Sequence, residues 1–262
     1  MNTILFRNSL AEENERLIAE KYFNVIDLRT EVKPNETIIC RYSALPYYDE
    51  LEKDVLLQGS KLINSHKQHL YVADLKNWYY DLSDFTPKTW FDLSQVDSDG
   101  PFVLKGSTNS RKQLWKSHMF AANKKEMMEV YCRLLDDSLI QHQGIYVRQY
   151  EELNNFGRDT ITGAPISKEF RCFFYKTKLL AKGFYWSQHS EGIDVGVDEV
   201  PDELLNKIAE VVAPNINFWV ADVAQKKDGE FILIELNDGQ MSGLSCVDPD
   251  ELYRNLRKAI NE

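Results

Sequence analysis

The stretch that decides the fold reads Phe218-Trp219-Val220-Ala221-Asp222-Val223-Ala224-Gln225, then Lys226-Lys227-Asp228-Gly229, then Glu230-Phe231-Ile232-Leu233-Ile234-Glu235-Leu236-Asn237. Two strand-like runs flank an Asp-Gly pair, a strong short-range signal for a tight hairpin. With Asp228 and Gly229 as a two-residue turn, Asp222 faces Glu235 and Val220 faces Asn237. Residues two apart on a strand share a face, as do directly opposed residues, so Asp222, Glu235 and Asn237 converge. Ala221, Val223, Ile232, Ile234 and Leu236 form the core stripe of the other face. Two opposed carboxylates repel until one takes up a proton or a cation settles between them. Two carboxylates and an amide oxygen are hard donors, and Mg²⁺ bridging to nucleotide phosphates is the usual occupant of such a set. The competing reading is a solvated polar face on an edge hairpin.

Working outward, short strands are expected at residues 3–6, Asn24–Leu28 and Ile38–Arg41, with a helix from about Leu10 to Tyr22 between the first two. Short strands alternating with helices imply an open, partly parallel α/β layer. The connector Ser83–Lys88 divides a first domain, residues 1–84, from a second, residues 85–262. Beyond it, strands are expected at Pro101–Lys105, Ile145–Tyr150, Glu169–Lys176 and Leu179–Trp186, and two helices within Arg111–Ile140. Pro201 followed by Asp202 and Glu203, and Asp248 followed by Pro249, Asp250 and Glu251, open the last two helices with negative charge against the helix dipole. The fold class is α+β.

The chain of 262 residues is 43% hydrophobic and 27% charged, an ordinary globular composition. Its formal charge of −10 repels phosphate backbones and weighs against non-specific nucleic-acid binding, while leaving room for a local basic pocket. Cys40, Cys132, Cys172 and Cys246 form no Cys-x-x-Cys pair, and the five histidines show no metal or triad spacing. No run of about 18 apolar residues is present, and the N-terminal apolar run is too short for a signal peptide. The expectation is a soluble, reduced, cytoplasmic protein with no membrane partner.

The order of Phe102-Val103-Leu104-Lys105, then Glu169-Phe170-Arg171, then Asp222 and Glu235-Leu236-Asn237-Asp238-Gly239 resembles the ATP-grasp superfamily. More closely it resembles a bacterial and phage clade marked by one arginine and two lysines, related to D-alanine–D-alanine ligase and tubulin–tyrosine ligase-like enzymes. The resemblance covers about Phe85 to Glu262. It implies an ATP-grasp fold of two lobes with a hinge near residues 148–153, preceded by a small α/β domain.

The resemblance also implies roles. Lys105 would reach the nucleotide phosphates, with Ser110 in the loop that covers them. Gln149, Tyr150 and Glu151 would meet the adenine at the hinge, and Glu169 the ribose. Arg171 and Lys182 would neutralise charge on the transferred phosphoryl group. Any even-length turn between their strands places these two cations on one face. Asp222, Glu235 and Asn237 would hold Mg²⁺. Ser242 and Gly243 resemble the substrate-side loop.

The implied reaction is ATP-dependent joining of a carboxylate to an amine through an acyl-phosphate, the substrates being an amino acid, peptide or protein. No protein nucleophile is needed, which suits a chain without a Ser/His/Asp or Cys/His arrangement. Two rivals stand beside it. Lys226-Lys227-Asp228-Gly229 fits Lys-x-Asp-Gly, the adenylylated-lysine motif of nucleic-acid ligases, with Lys226 as nucleophile. A non-catalytic ATP-binding module is the other.

Overall fold

The β-branched and aromatic runs at both ends of the chain become strands in the computed structural model, which describes residues 2–7, 13–191 and 195–262. The first half contains β1 (Asn2–Phe6), α1 (Glu13–Ala19), β2 (Asn24–Ile26), β3 (Thr37–Arg41), α2 (Tyr48–Leu57), β4 (Lys61–Leu62), α3 (His66–Ala73), α4 (Leu75–Trp78), β5 (Thr89–Trp90), β6 (Phe102–Gly106), β7 (Phe120–Ala121) and α5 (Lys124–Leu135). The second half contains β8 (Ile145–Gln149), β9 (Asn155–Arg158), β10 (Pro165–Ser167), β11 (Glu169–Tyr175), β12 (Lys178–Phe184), α6 (Asp202–Val212), β13 (Phe218–Gln225), β14 (Phe231–Asp238) and α7 (Pro249–Asn261). The expected N-terminal helix is present over Glu13–Ala19; its first turn, Leu10–Glu12, lies outside the described residues.

These elements fall into two units. The first comprises residues 1–72, 170–222 and 235–262, and the second residues 73–169 and 223–234. The connector at residues 83–88 therefore lies inside the second unit.

In the first unit, β2-β1-β3-β4 form a parallel sheet, with Ile4 paired to Val25 on one side and Ile39 on the other. Parallel strands need apolar cover on both faces, and the continuous runs Ile4-Leu5-Phe6 and Ile38-Ile39-Cys40 supply it. Ile4, Phe6 and Ile39 pack with Phe173, Val220 and Leu252 on one face, while Leu5, Ile38 and Cys40 pack with Tyr48 and Leu51 on the other. The same unit holds most of the sheet β12-β11-β13-β14. Asp248 caps α7 by accepting from the Asp250 N–H, with Pro249 at the start of the helix, as its sequence requires.

The second unit contains the antiparallel sheet β5-β8-β6-β7 and the pair β10-β9. Its core joins Phe102, Leu104 and Val147 from the sheet to Met127, Val130 and Leu134 from α5. Only the later of the two helices expected within Arg111–Ile140 is an α-helix. The earlier stretch is a 3-10 turn at Lys112–Leu114 and a π turn at Trp115–Met119, after which Phe120 and Ala121 pair with Val103 and Phe102. Strand pairing consumes the backbone groups that a helix would have used, and the Asn123 cap on the Glu126 N–H starts α5 afresh.

The deciding hairpin forms, with a different turn. The Lys226 N–H bonds to the Glu230 carbonyl at 2.7 Å and the Gly229 N–H to the Lys226 carbonyl at 3.0 Å, giving a three-residue loop, Lys227-Asp228-Gly229. Gly229 takes the positive φ of +95° that closes it. The pairing next to the turn is therefore one residue off that of a two-residue turn. The core stripe changes with it: Leu233 is fully buried, whereas Ile232 and Ile234 are half-buried. Leu233 and Leu236, three apart, are both buried, so the two-residue period breaks between them. All of β13 from Phe218 to Ala224 is buried.

Candidate functional site

Asp222 has no exposed surface, and a buried carboxylate requires partners. Arg171 on β11 supplies a two-pronged fork, with Nε to Oδ1 at 2.9 Å and one terminal nitrogen to Oδ2 at 2.8 Å. The planar guanidinium matches a carboxylate in this geometry, the strongest form of side-chain ion pair. Asn237 Nδ2 donates to Asp222 Oδ2 at 3.3 Å, so these two predicted ligands share a face. Glu235, half-buried, lies two residues before Asn237 on β14. The remaining Arg171 nitrogen donates to the Gly243 carbonyl at 2.8 Å, and the guanidinium lies 4.9 Å from the Tyr185 ring centre.

Lys182 is not on this face. β11 and β12 are joined by a two-residue turn, as Tyr175 pairs with Lys178, but the register shifts between Phe173 and Phe174. That irregularity puts Lys182 opposite Cys172, and Gly183 opposite Arg171. One extra residue exchanges the two faces of a strand, which overturns the expected Arg171–Lys182 pairing. Gly183 is needed where it stands, because a Cβ there would lie 2.5 Å from the backbone of Cys246 and Val247. Burial, aided by the Asp222 charge, pushes the Cys172 thiol far above its ordinary range, so it is no nucleophile.

Ser242 and Gly243 follow β14. The Ser242 hydroxyl and N–H both bond to the Asp238 carbonyl, at 2.8 and 3.1 Å. Gly243 is exposed, and a Cβ added to it would meet nothing.

The remaining predicted residues belong to the second unit. Lys105, on β6 opposite Tyr146, is 7% exposed. Ser110 is half-buried in the loop after β6. That loop is tethered: the Thr108 N–H donates to Gln143 Oε1 at 3.1 Å, and Gln143 Nε2 donates to Asn109 Oδ1 at 2.7 Å. Gln149, Tyr150 and Glu151 line a cleft of about 110 Å³ with Val103, Leu153 and Ile234. The Tyr150 N–H is already bonded to the Pro101 carbonyl at 2.9 Å. Glu169 is 3% exposed and accepts from the Ser167 hydroxyl at 3.0 Å.

Two side-chain roles were not read from the sequence. Arg148 in β8 donates to the Ile234 carbonyl and to Thr86 Oγ1, each at 2.8 Å, and Thr86 Oγ1 donates to the Leu233 carbonyl, also at 2.8 Å. This bracket sets the edge of β14 beside the cleft. Asp238 is the other omission. It falls on the same side of β14 as Leu236, and a charge in core phase was the signal that buried partners had to exist.

Among the described residues, no three His, Cys, Asp or Glu side chains cluster to hold a metal ion; the Asp222, Glu235 and Asn237 set is two carboxylates and an amide. Lys226, the nucleophile of the rival reading, is ion-paired to Asp228 at 3.1 Å and Glu230 at 2.5 Å. Hydrogen bonds to Glu230 and Asp228 raise its pKa and keep it protonated.

The family model of the ATP-grasp domain, third family of the clade marked by one arginine and two lysines, matches residues 93–256. The chain belongs to that family. A search of curated proteins returns no match. Among solved structures, the ATP-grasp fold agrees with the ligase PsnB bound to a minimal precursor, at a TM-score of 0.62 and 11% identity over 100% of this chain and 98% of that one. It agrees with a RimK-domain ATP-grasp protein from Sphaerobacter thermophilus, at 0.60 and 12% identity over the whole of both chains. It also agrees with the D-alanine–D-alanine ligase of Bacillus anthracis complexed with ATP, at 0.55 and 11% identity over 99% of this chain and 98% of that one. No helix among the described residues of this ATP-grasp chain is long and apolar enough to cross a membrane.

Proposed function

We propose that the protein is an ATP-dependent carboxylate–amine ligase. The observation that carries the proposal is the buried face on which Arg171 and Asn237 both bond to Asp222, on a chain of the ATP-grasp family. Hard oxygen donors suit Mg²⁺: Asp222, Glu235 and the side-chain amide oxygen of Asn237 would hold it. Bound there, Mg²⁺ would neutralise phosphate charge.

The chain's own residues supply the rest. The cleft beside β8 presents apolar walls from Val103, Leu153 and Ile234 to a flat ring, and the backbone of Tyr150 and Glu151 offers polar groups along its edge. Lys105 offers a point charge for phosphate, Ser110 a hydroxyl in the loop that follows β6, and Glu169 an acceptor for a ribose hydroxyl. Arg171, already aimed by two partners, offsets charge that develops as phosphate moves to the substrate carboxylate. The amine then displaces phosphate and leaves an amide. Ser242 and Gly243 border the place of the carboxylate. PsnB has been solved with a precursor peptide and AMPPNP, which makes a peptide the first carboxylate substrate to try.

Product analysis tests this directly. The chain is incubated with Mg·ATP and pooled amino acids, peptides or cell extract, beside Asp222→Ala, Glu235→Ala and Lys226→Ala. ADP and phosphate, lost in the first two variants and retained in Lys226→Ala, are the expected products. AMP with pyrophosphate, or AMP bound to Lys226, overturns the proposal in favour of adenylyl transfer. Mg·ATP binding with no turnover in any substrate pool leaves a binding module.

A further inference from the structure

Asp238 is a heavily bonded carboxylate beside the site, and the proposed reaction gives it no role. It is 3% exposed at the end of β14. Its side chain accepts from the Tyr48 hydroxyl at 3.1 Å, Asn64 Nδ2 at 2.8 Å and the Gln240 N–H at 2.9 Å, with His69 Nδ1 3.3 Å away. The side-chain donors come from α2, α3 and the segment between β4 and α3, all within the first unit. Tyr48 is stacked on His69 at 4.7 Å, and burial together with the Asp238 charge raises its pKa, so it stays a hydroxyl donor. Gln240 in turn donates to the Tyr48 hydroxyl and accepts from the Cys40 N–H.

The backbone of the same residue shapes the loop after β14. The Asp238 carbonyl accepts from the Met241 and Ser242 N–H groups, both at 3.1 Å, and from the Ser242 hydroxyl at 2.8 Å. The next carbonyl, Gly239, accepts from Arg41 at 2.5 Å, and Arg41 is held by Glu15, which also accepts from the Tyr253 hydroxyl. The loop fixed in this way ends at Gly243, whose carbonyl accepts the third Arg171 hydrogen bond.

We propose that Asp238 is a positioning residue for Arg171, with His69, Tyr48 and Asn64 as its holders: they fix Asp238, Asp238 fixes residues 239–243, and the Gly243 carbonyl fixes the plane of the guanidinium. A fork to one carboxylate leaves the guanidinium free to swing about the line between the two groups, and a third hydrogen bond removes that freedom. Burying a carboxylate with this many polar partners costs stability relative to an apolar core, and the return is a single loop conformation. The value of that conformation to catalysis rests on the ligase reading; the effect on Arg171 does not.

The test uses the full chain with Asp238→Asn and His69→Gln. Three quantities are read: amide exchange at Met241 and Ser242, the Arg171 Nε–H resonance assigned through Arg171→Lys, and the split between nucleotide affinity and turnover. Asp238→Asn turns one acceptor oxygen into a donor among donors. It is expected to speed exchange at both amides by about tenfold or more and to shift or broaden the Arg171 resonance. AMPPNP affinity should stay within about twofold while ADP formation falls about tenfold or more. His69→Gln keeps a donor and should shift each readout the same way by less; His69→Leu should match Asp238→Asn. An unmoved Arg171 resonance with only a lower Tm in both His69 variants overturns the proposal. If the wild-type chain forms no ADP with any substrate, the ligase reading fails, and the resonance and exchange data still decide the positioning role.

Discussion

The cleft beside β8 and the face around Arg171 solve opposite problems. The cleft has apolar walls from Pro87, Val103, Leu153 and Ile234, and Arg148, which also lines it, binds the Ile234 carbonyl and Thr86 with its terminal nitrogens. The Arg171 face is filled with charge, and each buried charge is matched: Asp222 by Arg171 and Asn237, Asp238 by Tyr48, Asn64 and the Gln240 N–H, with His69 Nδ1 3.3 Å away. An apolar cleft can wait for a flat ring at little cost. A charged face has to be complete before its ligand arrives and must exchange partners when it does, because a cation and a guanidinium cannot both take the two oxygens of Asp222.

The largest expected effect breaks the charged side of this comparison. Arg171→Met leaves the Asp222 carboxylate buried without its counter-charge, so the first unit should lose about 3–5 kcal/mol. A fall in Tm of roughly 10 °C by differential scanning fluorimetry would show it. Mg²⁺ or Mn²⁺ at millimolar concentration should restore part of that loss in the variant and do far less for the wild type, whose carboxylate is already paired. Equal effects of metal on both proteins would mean that Asp222 is not a ligand. Asp222→Ala should lower ADP formation by about three orders of magnitude, since it removes both the proposed ligand and the anchor of Arg171.

Next comes the cleft. Ile234→Ala removes apolar wall and no charge, so ATP affinity by calorimetry should fall about tenfold with turnover at saturating ATP unchanged. A loss of turnover at saturation would show that the two regions are not as separable as their chemistry suggests.

Two glycines sharpen the comparison at the smallest scale. Gly183→Ala forces a Cβ onto the Cys246–Val247 backbone and should destabilise by about 1–3 kcal/mol in denaturant titration. Gly243→Ala meets nothing and should leave stability within about 0.5 kcal/mol. If Gly243 borders the substrate carboxylate, the added methyl raises the KM for that substrate several-fold at unchanged Tm. An unaltered KM would remove Gly243 from the substrate site.

Much of the architecture was readable from local pattern. The parallel N-terminal strands, the hairpins β11–β12 and β13–β14, and the capped starts of α6 and α7 all follow from apolar runs and turn or cap residues within a few positions. The likeness to ATP-grasp proteins was readable for the same reason, since its motifs lie on those strands. In the two hairpins the errors came where one residue decides a face. The three-residue turn at Lys227–Gly229 and the break between Leu233 and Leu236 altered the core stripe of β14, and the register shift in β11–β12 carried Lys182 away from Arg171. A bulge leaves no signature in a hydrophobic run, because it is fixed by what the neighbouring strand and the covering layer require.

By itself, then, the sequence determined the elements, the family and the identity of the charged groups in the candidate site: strand alternation, hairpin turns and helix caps are short-range physics. Tertiary structure alone decided which charges meet. Arg171 and Asp222 are 51 positions apart, and Asp238 draws its holders from 169 to 190 positions away. A buried carboxylate is stable only where distant segments deliver donors to it, and only packing sets which segments those are.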